Sequence, residues 1–194
     1  MKIVTEDFLL ELSYASNVEI PDKSIEALVR LEAPEAKPGS PAHYYRFFYY
    51  LVECLPSHTF TALELGTWKG ISARCLANHP DGEVYTLDNA SDSLIKQPPY
   101  HNITFINRDS LNKIVTGLID ILFIDTEHDG VRCQKEFDLY KDDVVPGGLV
   151  FFDDVYLNDE MRKFWDNFNP DGYEKFDLPV HGEAGFGCLI KARG

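Results

Sequence analysis

The pattern of hydrophobic and polar positions changes character once along the chain, near residue 60. Before that point it is helical. Residues 1–33 mix polar and apolar positions at helical spacing, and 42–55 is an aromatic-rich stretch opened by Pro41 and stopped by Pro56. Between the two lies PEAKPGSP, residues 34–41, whose three prolines and one glycine read as a linker. After residue 60 short β-rich runs recur, at 61–65, 83–88, 103–107, 119–125 and 149–153. Helical patterns at 71–78, 131–140 and 158–167 separate several of them. Strands alternating with helices require crossover connections, hence a parallel sheet covered on both faces. Two last runs, 173–180 and 186–192, are joined by a glycine-rich turn with no helix between them. They predict a hairpin, which makes the last strand antiparallel in a mostly parallel, seven-stranded α/β sheet. The expected division is an N-terminal helical extension, 1–40, and one α/β domain, 41–194.

Composition narrows the function. The chain has 194 residues, 18 basic and 32 acidic side chains, and a formal net charge of −14. With 44% hydrophobic residues it is a globular chain rather than an acidic disordered tail. Holding a phosphate backbone or an anionic membrane needs clustered Lys and Arg, so nucleic acid and membrane are excluded as expected partners. A small molecule or a cation is not excluded, and a homodimer is compatible with this reading. No apolar run approaches the length of about 20 residues needed to span a bilayer. The N-terminus meets Glu6 and Asp7 at once and carries no leader-like pattern. Cys54, Cys75, Cys133 and Cys188 are scattered, without a Cys-x-x-Cys pair, as expected of reduced thiols in the cytoplasm.

In open α/β sheets ligands sit at the carboxyl ends of the strands. Here those ends are acidic: Glu64 with Gly66, then Asp88, Asp109, Asp125, and Asp153 with Asp154. The loop Glu64-Leu65-Gly66-Thr67-Trp68-Lys69-Gly70-Ile71-Ser72 lets backbone turn sharply and brings helix N–H groups toward a ligand. It is not a dinucleotide fingerprint, because Trp68 and Ile71 stand where glycines are needed, and no P-loop run occurs. Asp88 lies 22 residues past Gly66, the place from which a carboxylate accepts both hydroxyls of an adenosine ribose.

The pattern acidic-x-Gly-x-x-x-Gly-x-Ser resembles the first motif of class I S-adenosylmethionine-dependent methyltransferases. The segments Phe-Ile-Asp125-x-x-His128-Asp-Gly-Val and Pro-Gly-Gly-hydrophobic-Asp153-Asp154 resemble strands four and five of the metal-assisted O-methyltransferases. That branch includes the catechol, caffeoyl-CoA and macrocin O-methyltransferases, and the likeness runs from about Thr61 to Asp154. It implies the Rossmann-like class I methyltransferase fold, with S-adenosylmethionine held by Glu64, Gly66, Thr67, Trp68, Gly70, Ser72, Asp88, Asp109 and Asp125. It further implies that Asp125, Asp153 and Asp154 bind Mg²⁺ or another divalent cation. Hard cations take oxygen ligands, and such an ion would hold an acceptor hydroxyl and lower its pKa. The implied activity is O-methylation of a small hydroxylated acceptor, a sugar or a phenol, with Asp125 and His128 as catalytic residues.

Several positions keep two readings. His128 suits general-base work near neutral pH, and equally a ligand or structural role. Asp109 is an adenine contact or a helix N-cap, with Arg108 standing where the family commonly has glycine. Adjacent strand residues face opposite ways, so Asp153 and Asp154 converge only if the strand ends between them. The aromatic segment His43–Leu51 is core packing at its helical spacing, with Tyr44, Tyr45 or Arg46 as neighbours of a cleft. Trp68 leans over a cofactor or caps its pocket. Asp129, Asp142, Asp143 and Asp159 read as helix-end and surface charges, and Gly182, Gly185 and Gly187 as mobility or a tight turn. Two other functions share the pattern: a metal-dependent nucleotide-sugar glycosyltransferase, and a non-catalytic nucleotide-binding module.

Overall fold

A computed structural model describes residues 4–33, 42–55, 59–89, 101–114 and 116–194. The linker-like stretch 34–41 lies outside the described residues. The chain runs α1 (Glu6–Ala15), α2 (Lys23–Glu32), α3 (Tyr44–Cys54), β1 (Phe60–Leu65), α4 (Ile71–Leu76), β2 (Gly82–Asp88) and β3 (Ile103–Asn107). It continues through β4 (Ile119–Ile124), α5 (Gly130–Tyr140), β5 (Val144–Asp153), α6 (Asp159–Asn167), β6 (Tyr173–Leu178) and β7 (Phe186–Lys191). One sheet holds all seven strands in the order β3-β2-β1-β4-β5-β7-β6. The neighbours from β3 to β5 pair in parallel, and β7 pairs antiparallel with both β5 and β6. The expected mostly parallel sheet with an antiparallel last strand is what the chain forms. A single 3-10 turn, Gly182–Ala184, interrupts the otherwise irregular connection between β6 and β7.

Period-two alternation explains the layers. Ala62, Ile121, Phe123 and Phe151 face one way and meet the apolar sides of α1 to α4. Their chain neighbours Leu63, Leu122, Ile124 and Phe152 face the other way and meet Phe137 of α5 and Trp165 of α6. Strands buried on both faces carry near-continuous apolar runs, as LFI and VFF do here. The helix ends follow their caps. Asp22 accepts from the N–H groups of Ser24 and Ile25, Asp129 from Arg132, and Asn158 from Glu160 and Met161. β5 begins earlier than its apolar run, because Val144 already pairs with Ile119 ahead of a register shift.

The two N-terminal helices share the first core through Leu9, Ile25 and Val29. They are also held by an ion pair. Arg46 of α3 donates to both oxygens of Glu26 of α2, at 2.6 and 3.3 Å, with both side chains at most 3% exposed. The Ile20 N–H and Arg30 donate to the same carboxylate. Burial alone pushes Glu26 up, but the bonds from Arg46 and Ile20 outweigh it and hold the carboxyl below the usual range. Arg46 is therefore spent on the scaffold. Among the described residues no helix is long and apolar enough to cross a membrane, and all four cysteines are free.

Removing one partner of a buried pair leaves the other charge uncompensated, which costs about 3 kcal/mol. Urea unfolding of Arg46→Met is expected to show a loss of that size, partly recovered when Glu26→Gln is added. Equal stability of the single variant and the parent chain would contradict this account of α2.

Candidate active site

The carboxyl edge of β1, β2 and β4 is built on close backbone approach. Gly66 has φ +95°, and a Cβ there would sit 1.6 Å from the carbonyl oxygen of Asp125. Its N–H donates to the Leu87 carbonyl, and the Asp125 N–H donates to that of Leu65, both at 2.8 Å. The next two N–H groups, of Thr67 and Trp68, donate to Asp88 Oδ2 at 3.1 and 2.8 Å. Trp68 itself stands out in solvent with φ +42°, its ring under the Lys69 ammonium, and Lys69 pairs with Glu32.

Glu64 lies beneath this loop. It is fully buried and accepts from the hydroxyls of Ser72 and Thr86, while the Thr67 hydroxyl bonds to Thr86 at 2.6 Å. Burial pushes the Glu64 carboxyl up to about 8, against the pull of those two hydroxyls. Gly70, at φ +64°, opens α4 from below. Of the loop residues expected around a cofactor, Gly66 and Trp68 line the cavity; Glu64, Thr67, Gly70 and Ser72 support it from underneath.

The cavity encloses about 530 Å³, the size of a small-molecule site. On the β2–β3 side it is walled by Leu87, Asp88, Asn89, Arg108 and Ser110. Asp109 is not among the residues that line it. That carboxylate accepts from the Leu111 N–H and from Arg132, which together hold it below the usual range, and it caps a turn. Arg132 also reaches Ser110 and the fully buried Glu136, and Glu136 accepts from Ser110 and Thr126. This network fixes the wall through α5. Neither Arg132 nor Glu136 stands out in the sequence, because each belongs to an ordinary amphipathic helix pattern.

On the β5 side the acidic strand ends converge. β5 stops at Asp153, and Asp154 takes φ +55°, so the two adjacent side chains turn into the same space. His128, at φ +50°, directs Nε2 to within 3.4 Å of Asp125 Oδ1 and 3.2 Å of Asp154 Oδ2. His181, from the turn before β7, brings Nε2 to 2.9 Å from Asp154 Oδ1 and 3.7 Å from Asp153 Oδ1. Ligand atoms of Asp125, His128 and Asp153, and likewise of Asp153, Asp154 and His181, all lie within 4.8 Å of one another. Burial raises the carboxyls of both Asp125 and Asp153; His128 pulls Asp125 back, while the charges of Asp125 and Asp154 push Asp153 further up. Asp153 is 5% exposed, yet its Oδ1 has no hydrogen-bond partner, and neither does the buried Nε2 of His128. An orphaned carboxylate oxygen among crowded carboxylates fits a divalent cation.

The first turn of α3 closes this side. Tyr44 and Tyr45 reach the cavity while Phe47, Phe48, Leu51 and Val52 pack into the core. Tyr44 stacks on Phe186. His181 and His43 are the site residues that sequence spacing did not single out. One sits in a turn read as glycine-rich geometry and the other at the head of a helix read as core. The chain offers no local signal that residues 138 positions apart meet.

Residues 63–155 match the family model described as a methyltransferase domain. No curated protein gives a significant match. Among solved structures, the chain is similar to the O-methyltransferase TomG from Streptomyces achromogenes, involved in tomaymycin synthesis and in complex with SAM. That match has a TM-score of 0.64 and 16% identity, over 98% of this chain and 100% of that one. The O-methyltransferase from Bacillus cereus in complex with SAH matches with a TM-score of 0.60 and 19% identity, over 95% and 99%. The SAH-bound methyltransferase PaMTH1 from Podospora anserina gives 0.62 and 15%, over 98% and 89%. At these identities the structures speak for the fold, which is that of class I methyltransferases.

Two measurements check the loop. Gly66→Ala adds both a left-handed strain and a collision with the Asp125 carbonyl, so it is expected to lower unfolding stability by about 2 kcal/mol or more. A thermal melt matching the parent chain would contradict the close approach. Glu64 has a folded value near 8 against 4.5 for a free side chain, so the folded state holds a proton that the unfolded state releases. Its contribution to stability is complete in acid and is lost as pH rises from 4.5 through about 8. Glu64→Gln is therefore expected to gain on the parent chain between about pH 5 and about pH 9 in urea titrations.

Proposed function

We propose, on the premise that the chain belongs to the methyltransferase-domain family, that it is a metal-assisted O-methyltransferase. It moves the methyl group of S-adenosylmethionine to a hydroxyl of a small acceptor, a sugar or a phenol. The observation that carries this reading is the juxtaposition, in one cavity, of a backbone-lined acidic edge and an oxygen-rich cluster. Gly66, Trp68 and Asp88 form the first; Asp125, His128 and Asp153, and with them Asp153, Asp154 and His181, form the second. A sulfonium and a divalent cation are both positive, and both are favoured beside these carboxylates.

The residues divide the work by position. Asp88, already tied to the Thr67 and Trp68 N–H groups, is placed to take the ribose of the donor, and Gly66 lets the loop lie close. Glu64, Ser72 and Gly70 keep that loop in shape from below. Asp125, Asp153 and Asp154 would hold a divalent cation, Mg²⁺ in the simplest case; when bound it lowers the pKa of the acceptor hydroxyl and fixes its oxygen. His128, set between Asp125 and Asp154, is the base placed to receive the hydroxyl proton. The oxygen then displaces the methyl carbon from sulfur in line, and a neutral thioether departs. The buried free thiols Cys75, Cys133 and Cys188 suit a cytoplasmic site of action.

Calorimetry is expected to show S-adenosylmethionine bound with micromolar affinity and UDP-sugars silent. Binding of UDP-sugars instead would sink the reading in favour of glycosyl transfer. Methyl transfer to a panel of phenols and sugars is expected to stop on chelation and on Asp125→Asn, while Asp125→Asn still binds the donor. Turnover that survives thorough chelation would remove the metal from the mechanism.

A further inference from the structure

A line of hydrogen bonds enters the acidic cluster from α3. The Tyr45 backbone N–H lies 3.4 Å from His43 Nδ1, His43 Nε2 lies 3.1 Å from His181 Nδ1, and His181 Nε2 lies 2.9 Å from Asp154 Oδ1. Both ends of this line have fixed roles. A backbone N–H can only donate, and a carboxylate can only accept. Each imidazole must therefore accept at Nδ1 and donate at Nε2. A proton on His181 Nδ1 would force His43 Nε2 to accept, and the displaced proton on His43 Nδ1 would then face the Tyr45 N–H. Burial, reinforced by the neighbouring His181, pulls the His43 pKa down to about 3, in keeping with a neutral ring.

We propose that His43 and His181 form a tautomer-locked pair that orients Asp154 toward the cation site, with His181 as a positioning residue rather than a ligand. The proposal rests on the metal-assisted reading of the same cluster. Asp154 needs such a hold. It sits one residue beyond the end of β5 in a left-handed conformation, so its direction is not set by the sheet. With Oδ1 bound to His181, Oδ2 faces His128, which also lies beside Asp125. Carboxylates that ligate metals are commonly fixed by such outer hydrogen bonds, whose loss weakens metal binding roughly 10- to 100-fold. The distances alone also admit His181 as a ligand beside Asp153 and Asp154, but its Nε2 carries the proton that Asp154 accepts.

Two experiments on the full chain decide it. Long-range ¹⁵N NMR is expected to show both His43 and His181 as neutral Nε2–H tautomers; a His181 ring protonated at Nδ1 alone would overturn the proposal. Mn²⁺ is then titrated calorimetrically in the presence of S-adenosylhomocysteine, whose own affinity reports that each variant is folded. His181→Ala is expected to weaken Mn²⁺ binding about tenfold or more. His181→Gln, whose amide nitrogen can donate to Asp154 from the same place, is expected to restore most of it. Unchanged Mn²⁺ affinity in His181→Ala overturns the proposal. Loss that glutamine does not restore also overturns it, by making His181 a direct ligand. If the parent chain binds S-adenosylhomocysteine but no Mn²⁺, the metal-assisted reading itself falls, and the role given to the pair falls with it.

Discussion

Concentrating negative charge in a dry place is the constraint that organises this molecule. An ionised carboxylate taken out of water costs several kcal/mol unless donors or a cation replace the lost hydration. The chain sets five acidic side chains at the carboxyl edge of its sheet and answers each differently. Glu64 is wrapped by two hydroxyls and raised toward its neutral form. Asp88 is met by two backbone N–H groups of the loop it faces. Asp154 is met by an imidazole. Asp125 lies beside His128, and Asp153 alone keeps an unanswered oxygen. Of the five, only Glu64 and Asp153 are buried, and it is an Asp153 oxygen that is left without a donor.

That arrangement needs a rigid frame. The approach of Gly66 to the Asp125 carbonyl locks β1 to β4 at the edge, where any side chain would pry them apart. The two apolar layers on either side of the sheet then fix the strand ends relative to α3 and α5. Glu136, buried and fully bonded, carries the wall beside Ser110 and Arg132 back into α5. The aromatic helix α3 has a divided role along its length. Its first turn faces the cavity, and its later turns fill the core with Phe47, Phe48 and Leu51.

Much of this was legible in the chain because local patterns carry it. Alternating apolar runs and the punctuation of Pro and Gly located the strands, and their acidic ends marked the edge where a ligand belongs. The Asp153–Asp154 pair posed a question that alternation alone left open, and the left-handed turn at Asp154 is its answer. What stayed hidden is non-local. His43 and His181 meet only because β7 runs back beside β5, and a histidine in a glycine-rich turn carries no trace of that in its neighbours. Arg46 looked eligible for the cleft, and only its burial against Glu26 reveals its role in the scaffold. Asp109 likewise follows a strand, and its tie to Arg132 of α5 could not be read from its neighbours.

The place of β7 in the sheet has a consequence for biogenesis. It lies between β5 and β6, yet follows both in the chain. During synthesis the ribosome releases β5 and β6 before the strand that joins them exists. Until β7 inserts, β5 keeps an open, apolar edge, the kind of surface on which unfinished chains associate wrongly. The same strand pairs Phe186 with Asp153 and follows directly on the turn that delivers His181. Closing the sheet and finishing the cavity are thus a single late event.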